Sequence, residues 1–282
     1  MTYGSAMPPK ATVDLSGAAQ TMLTTLYLKA LDADSDRPVL GDTFARDAVA
    51  GIDYDWSSLG VSARWSPLAT VRTAQYDRWT REFLRRYPES TVVHLGCGLD
   101  SRVFRVDPGP AVHWVDVDFP AVIDLRRQVY PERDGYHLLA SSATDHEWLQ
   151  RIPADRPTLF LAEGISMYLT ATEGTQLLRA VLQRFPEGEV QIDFYSRLAI
   201  RSQRMHKLNR TTGSVLHWGV DDTAEVAAAV PGLRPVRDVT FFDAETFRGS
   251  SRLFAAVGGI GRVVRPVRRA LQYHRYAFGP TD

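Results

Sequence analysis

Apolar residues recur at two periods along this chain, and the change from one to the other divides it. Between residues 12 and 31, Leu15, Ala18, Met22, Leu26 and Leu28 fall at roughly helical spacing, which predicts one or two helices. An acidic turn from Asp32 to Asp36 is ended by Pro38, and Phe44, Ala48 and Val49 share one face of a further helical region. Pro67 suits the first turn of a helix, and the pattern runs from there to about Tyr87, where Pro88 stops it. Short β-rich apolar runs then take over at 91–95, 112–117, 158–162 and 190–194, with helical stretches at 121–130 and 173–185 between most of them. Strands alternating with helices predict an α/β unit, a parallel sheet covered on both faces. Beyond these, 223–230 reads as a helix, 235–242 as a strand and 272–278 as a last strand. The expected organisation is a helical cap over residues 1–88 and an α/β domain over 89–282, with an insertion around 195–220.

Composition narrows the class. The 33 basic and 33 acidic residues cancel, which speaks against a nucleic-acid partner, because neutralising phosphates takes an excess of Lys and Arg. No apolar stretch approaches the ~20 residues that cross a bilayer, so no membrane association is expected and a cytoplasmic protein is the default. The single cysteine, Cys97, excludes an intrachain disulfide and a thiolate-rich zinc site, and no metal is expected.

The most informative stretch is Val92-Val93-His94-Leu95-Gly96-Cys97-Gly98-Leu99-Asp100, an apolar strand running into G-x-G. Glycines at that point let the backbone turn sharply and approach a ligand closely. The next strand ends in Asp116 and Asp118, 18 and 20 residues after Gly98. A carboxylate there can accept both hydroxyl hydrogens of a ribose, so the pair reads as nucleoside recognition. Singly, the glycines also fit a plain tight turn and the acids a solvated strand end. A dinucleotide site needs a third glycine facing the pyrophosphate, and this chain has Ser101 in its place. S-adenosylmethionine (SAM), a nucleoside without a pyrophosphate, fits better. Cys97, between the glycines, reads as a small residue against that ligand.

At these residues the sequence resembles the leucine carboxyl methyltransferase family, and within it the bacterial polyketide O-methyltransferases of the tetracenomycin type. The resemblance is carried by Val93-His94-Leu95-Gly96-Cys97-Gly98-Leu99-Asp100-Ser101-Arg102, by Trp114-Val115-Asp116-Val117-Asp118-Phe119-Pro120, and by Leu161-Ala162-Glu163-Gly164-Ile165-Ser166-Met167-Tyr168-Leu169. It implies a class I SAM-dependent methyltransferase, Rossmann-like, with a seven-stranded, mostly parallel sheet whose last strand is reversed. It places Gly96 beneath the methionyl part of SAM and Asp118 on the ribose with Asp116 beside it. It also places Glu163 and Tyr168 beside the cofactor, Arg72 on the cofactor's carboxylate, and Asp145, less closely matched, near the adenine. The charges of SAM ask for the same set, a cation for the carboxylate and acids for the ammonium and ribose. On the helix from Pro67, Arg72, Gln75, Tyr76 and Trp79 share one face that either closes over the cofactor or is a core contact with Arg72 snorkelling.

The acceptor is read from residues 195–220. An acceptor carboxylate is already ionised and needs no base, whereas a phenol or alcohol benefits from one, and His206 and His217 are the candidates. Arg197, Arg201 and Arg204 fall on one helical face, with Lys207 and Arg210 beyond and no acid among them. That face either orients an acidic substrate, with Trp218 and Tyr195 as surfaces for a ring, or is simply solvated. The expected function is methyl transfer from SAM to an oxygen of a small polyketide or aromatic acid. Methylation of a protein's C-terminal carboxylate and a non-catalytic SAM-binding role are the alternatives.

Overall fold

The computed structural model describes residues 10–12, 18–202, 215–243, 245 and 263–280. Three helices come first: α1 (Ala18–Ala33), α2 (Thr43–Gly51) and α3 (Pro67–Arg86). Asp42 caps α2 by accepting the Ala45 N–H at 3.0 Å, and Pro67 occupies the first turn of α3, where its missing N–H costs nothing. Ala11–Thr12, ahead of α1, and Ile52–Asp53, after α2, pair as a two-residue parallel ladder.

The main sheet has seven strands: β1 (Thr91–Leu95), β2 (His113–Asp118), β3 (Tyr136–Ala140), β4 (Thr158–Ala162), β5 (Gly188–Tyr195), β6 (Arg234–Thr240) and β7 (Leu271–Phe278). Their spatial order is β3-β2-β1-β4-β5-β7-β6, and β7 runs antiparallel to both its neighbours while the other pairings are parallel. The reversed last strand is therefore present, and it is wedged between β5 and β6. The sequence pattern missed β3. As an edge strand it buries only Leu139, so it never needed the continuous apolar run that marks β1 and β4, where every residue is buried.

Successive residues of β1 serve opposite faces. Val92 joins Trp114, Leu159, Leu161 and Tyr273 under Tyr76, Trp79 and Phe83 of α3, whereas Val93 and Leu95 join Val117, Phe160 and Ile192 under Leu177, Leu178 and Val181 of α6 (Ala171–Arg184). The face of α3 carrying Gln75, Tyr76 and Trp79 is thus a core contact. Tyr76 and Trp79 are at most 1% exposed, and their burial, about 1.5–3 kcal/mol for each large apolar side chain, fixes the helix to the sheet. A third cluster ties α1 and α2, through Leu23, Leu26, Ala45 and Ala48, to Leu99 and to Leu125 and Tyr130 at the end of α5 (Pro120–Val129). No helix among the described residues is long and apolar enough to cross a membrane.

Trp218 was expected as a surface for a substrate ring. It belongs instead to the core, 4.8 Å from the Phe194 ring and directly over Gly174 of α6. A methyl group on Gly174 would meet the indole at 1.9 Å. Gly174→Ala should therefore destabilise the protein by about 1–3 kcal/mol through overpacking, outweighing the helix-propensity gain of about 1 kcal/mol. Chemical denaturation would measure this, and an unchanged or raised midpoint would count against the packing described.

Candidate active site

The strand β1 ends in a turn that only glycine accommodates easily. Gly96 and Gly98 have φ of +64° and +49°, and a side chain on Gly96 would reach Ile165 at 2.8 Å. Asp118, at the carboxyl end of β2, accepts the Gly98 N–H at 2.8 Å on one oxygen and the Phe119 N–H at 2.7 Å on the other. Burial pushes its carboxyl above the usual carboxylate range, against the pull of those two hydrogen bonds.

Asp116 does not face the ligand space. It shares a strand face with Asp118 but lies two residues below the strand end, buried, where Trp114 Nε1 donates to it at 2.8 Å, Tyr136 OH at 2.7 Å, and Arg126 Nη2 in a short ion pair. Burial is the largest influence and opposes its charge, but Arg126, His94 and Tyr136 together outweigh it and hold the carboxyl below its ordinary range. The same Arg126 donates through Nη1 to the carbonyls of Gly98 at 2.8 Å and Asp100 at 2.9 Å. Asp116 thus supports the glycine turn from beneath rather than touching what lies above it.

Beyond β4, Glu163 receives Arg72 Nε at 2.8 Å and Thr73 Oγ1 at 3.0 Å on one oxygen, and Arg102 Nη2 of the short helix α4 (Arg102–Val106) on the other. Burial disfavours its charge, yet Arg102 and Arg72 prevail and bring its pKa down to about 2. Arg72 also donates through Nη1 to Asp193 at 3.1 Å. Lys29 of α1 lies 3.1 Å from Asp100, which pairs in turn with Arg102 at 3.2 Å and Arg105 at 2.7 Å.

These groups surround a cavity of about 370 Å³, within the range of small-ligand sites. Arg72, Gly96, Cys97, Gly98, Asp118, Glu163 and Tyr168 all line it, so seven of the nine residues expected at the cofactor come together. Burial pushes the Cys97 thiol well above its usual range, consistent with a packing role. Asp116 and Asp145 are the exceptions. Asp145 is exposed and caps the turn at His146–Arg151 by accepting the Glu147 N–H at 3.1 Å. Sequence reasoning missed Lys29 and Asp100 in the lining. Lys29 was detectable as a lone cation on the apolar face of Met22 and Leu26, and Asp100 lies inside the glycine motif. The ionic lining, Lys29 and Arg72 against Asp100, Asp118 and Glu163, has one carboxylate in excess. It therefore fits a ligand that carries one anionic and two cationic groups beside a ribose.

The residues expected at the acceptor lie elsewhere. Arg197, Arg201, His217 and Trp218 border a second cavity of about 580 Å³ that shares no lining residue with the first. Arg197, at the start of α7 (Arg197–Ser202), is engaged by Asp221 at 3.1 Å and by Glu225, so its guanidinium is already neutralised. His217 is exposed, and its backbone N–H donates to Met167 O at 2.8 Å. Arg204 and His206, with Lys207 and Arg210, lie outside the described residues.

Comparison with known proteins gives this geometry a family. The profile of "Leucine carboxyl methyltransferase" matches residues 23–182, more than half of the chain and all three motifs. The chain belongs to the leucine carboxyl methyltransferase family. It is 38% identical to the "Tetracenomycin polyketide synthesis O-methyltransferase TcmP" of Streptomyces glaucescens, over 95% of this chain and 99% of that one. It is 35% identical to the "S-adenosyl-L-methionine-dependent methyltransferase dpfgK" of Gibberella zeae, over 80% and 83% of the two chains. Among solved structures, a DUF574-family protein from Streptomyces avermitilis shares the fold with a TM-score of 0.58 at 14% identity, covering 94% of this chain and 98% of its own. The methyltransferase fold is class I, and the enzyme is SAM-dependent.

Two outcomes follow for this family member. Replacing Arg126 by Met leaves Asp116 as an uncompensated buried charge, a loss of about 3–5 kcal/mol of stability. Denaturant titration should show it, and a loss below 1 kcal/mol would mean that the pair is not sealed from water. For Glu163 the depressed pKa stabilises the folded state fully above its ordinary value of 4.5, and that contribution disappears as pH falls through about 2. The stability gap between wild type and Glu163→Gln should accordingly be constant above about pH 5.5 and close on acidification over that window. A gap independent of pH would contradict the assignment.

Proposed function

We propose that this methyltransferase moves a methyl group from SAM to a carboxylate or hydroxyl oxygen of a small polyketide-derived or aromatic acid, and that it works in the cytoplasm. The observation that carries the acceptor class is the likeness, along nearly the whole chain, to TcmP, a tetracenomycin polyketide synthesis O-methyltransferase. It favours this reading over methylation of a protein C-terminus, the activity in the name of the family profile.

In this reading Asp118 holds the ribose hydroxyls, with its remaining lone pairs directed over the glycine turn. Arg72 and Lys29 meet the carboxylate of the methionyl group, Asp100 and Glu163 face its ammonium, and Gly96, Cys97 and Gly98 admit it close to the backbone. Tyr168 closes the wall beside Ile165. When bound, SAM supplies an already activated methyl group on a sulfonium. The protein's task is then to position the acceptor and exclude water.

Proton transfer has little to work with at this cavity. His94 lines it, but Arg102 Nη1 lies 3.3 Å from Nε2 and Asp116 lies 3.3 Å from Nδ1. Arginine can only donate, so Nε2 must accept and the proton resides on Nδ1 toward Asp116. The acceptor nitrogen of this ring is thus occupied by Arg102, and the methyl acceptor that suits a cavity without a free base arrives ionised, as a carboxylate. Arg201 lines the second cavity without an ion-pair partner among the described residues, so the expectation of an acidic acceptor there rests on it.

Calorimetry with S-adenosylhomocysteine (SAH) and with NAD tests the cofactor reading. SAH should bind and NAD should not, with Asp118→Ala weakening SAH by about 1–3 kcal/mol; no SAH binding at millimolar ligand would defeat it. Methyl-labelled SAM offered with a panel of aromatic and polyketide carboxylic acids tests the acceptor. A base-labile methyl ester is expected, and a base-stable ether would point to a hydroxyl. Arg201→Ala should raise acceptor KM and leave SAH affinity alone, and an unchanged KM would remove Arg201 from the acceptor site.

A further inference from the structure

Asp193 lies near the carboxyl end of β5, paired across the ladder with Tyr273 of β7, and its side chain is wholly buried. It carries no recognisable motif and does not line the cofactor cavity. A carboxylate sealed from water is stable only when partners replace its hydration. Both of its oxygens are taken by walls of that cavity. Oδ2 accepts Arg72 Nη1 at 3.1 Å, and Oδ1 accepts the Gly164 N–H at 2.8 Å. The main-chain carbonyl of Asp193 accepts the Ser166 hydroxyl, a second tie to the same turn.

The grip on Arg72 has a geometric consequence. A guanidinium is planar and presents its donors in a fixed fork. Glu163 holds Nε and Asp193 holds Nη1, so the plane is pinned at two corners and Nη2 remains. That nitrogen lies against Gly164, where φ is +76° and a methyl group would stand only 3.3 Å away. With one carboxylate removed, the fork can pivot on the other.

We propose that Asp193 is a positioning residue for the cofactor: by holding Arg72 Nη1 and the Gly164 amide together, it aims Arg72 Nη2 at the carboxylate of the methionyl group. The proposal rests on the assignment of Arg72 to that carboxylate made above. Asp193 touches no reacting atom and acts through Arg72.

The test is a double-mutant cycle read by calorimetric SAH binding to the full chain, with wild type, Arg72→Ala, Asp193→Asn and the double variant. Asp193→Asn retains volume and an oxygen for Gly164, but it loses the charge facing Nη1. It should weaken SAH binding about tenfold in the wild-type background and less than about twofold in the Arg72→Ala background, the non-additivity expected of groups acting as one unit. A merely structural Asp193 would lower Tm in both backgrounds and weaken SAH equally in both, and that result overturns the proposal. If Arg72→Ala alone leaves SAH affinity intact, the assignment of Arg72 fails first; if Arg72→Ala weakens binding but Asp193→Asn does not, only the positioning role fails. Should Asp193→Asn not fold, Arg72→Lys replaces it. Lysine keeps a charge for Glu163 but cannot span to Asp193 as well, and wild-type SAH affinity in Arg72→Lys would overturn the proposal.

Discussion

The rest of the site depends on one shared carboxylate. Glu163 sits one residue beyond a central strand and receives guanidinium groups from two different helices, Arg72 of α3 and Arg102 of α4. Arg102 is fully buried and also meets Asp77 at 2.8 Å, while Arg105 joins Asp77 at 3.0 Å to Asp42 ahead of α2. Each of these ions lost its water on folding, at a cost of several kcal/mol that only a complete set of partners offsets. A partly formed network would be worse than an apolar contact. The early helices and the sheet are therefore obliged to dock in one arrangement, and the cofactor cavity is the gap that this arrangement leaves between them.

The glycine turn is held by a similar division of labour. Asp116 and Asp118 stand two residues apart on the same face of one strand and do different work, because Asp116 lies within the strand, buried against Arg126 of α5, whereas Asp118 closes the strand's carboxyl end beside the cavity. The inner acid grips Arg126, which in turn holds the carbonyls of Gly98 and Asp100; the outer one takes the Gly98 N–H, while the Gly96 N–H goes to the Val117 carbonyl. Carbonyls of the turn are fixed by Arg126 and its amides by Asp118 and the Val117 carbonyl. That arrangement gives a backbone in the left-handed region a single shape without any side chain on Gly96 or Gly98.

Much of this was legible before the fold was known, and the misreadings share a cause. Gly96, Gly98 and Asp118 were found because nucleoside chemistry asks for those residue types at strand ends, whereas Glu163 and Arg72, the latter on a helix, came from the family resemblance with the charges of SAM in support. Asp116 was misread because spacing reports the order of residues along a strand and not how deeply each is buried below the strand's open end. Tyr76 and Trp79 were read as closing over the cofactor or as core, since periodicity identifies a face of a helix but not the surface it meets. The run from Arg197 onward looked free of acids because Asp221 and Glu225, which engage Arg197, are remote in sequence. Strand β3 was silent because an edge strand with one buried apolar residue has no pattern to show.

The sequence by itself determined the α/β class, the family, the glycine turn and the methyl-donor chemistry, since each depends on local residue types at short spacing. Tertiary structure alone decided which carboxylates face the ligand and which support it, that Lys29 and Asp100 join the lining, and that Arg197, Arg201 and His217 border a separate cavity. It also brought Asp193, 121 residues away, onto Arg72. The physical reason is the same throughout. Charge pairing and burial act over a few ångströms of space, and a chain reveals those neighbours only after its strands and helices have packed.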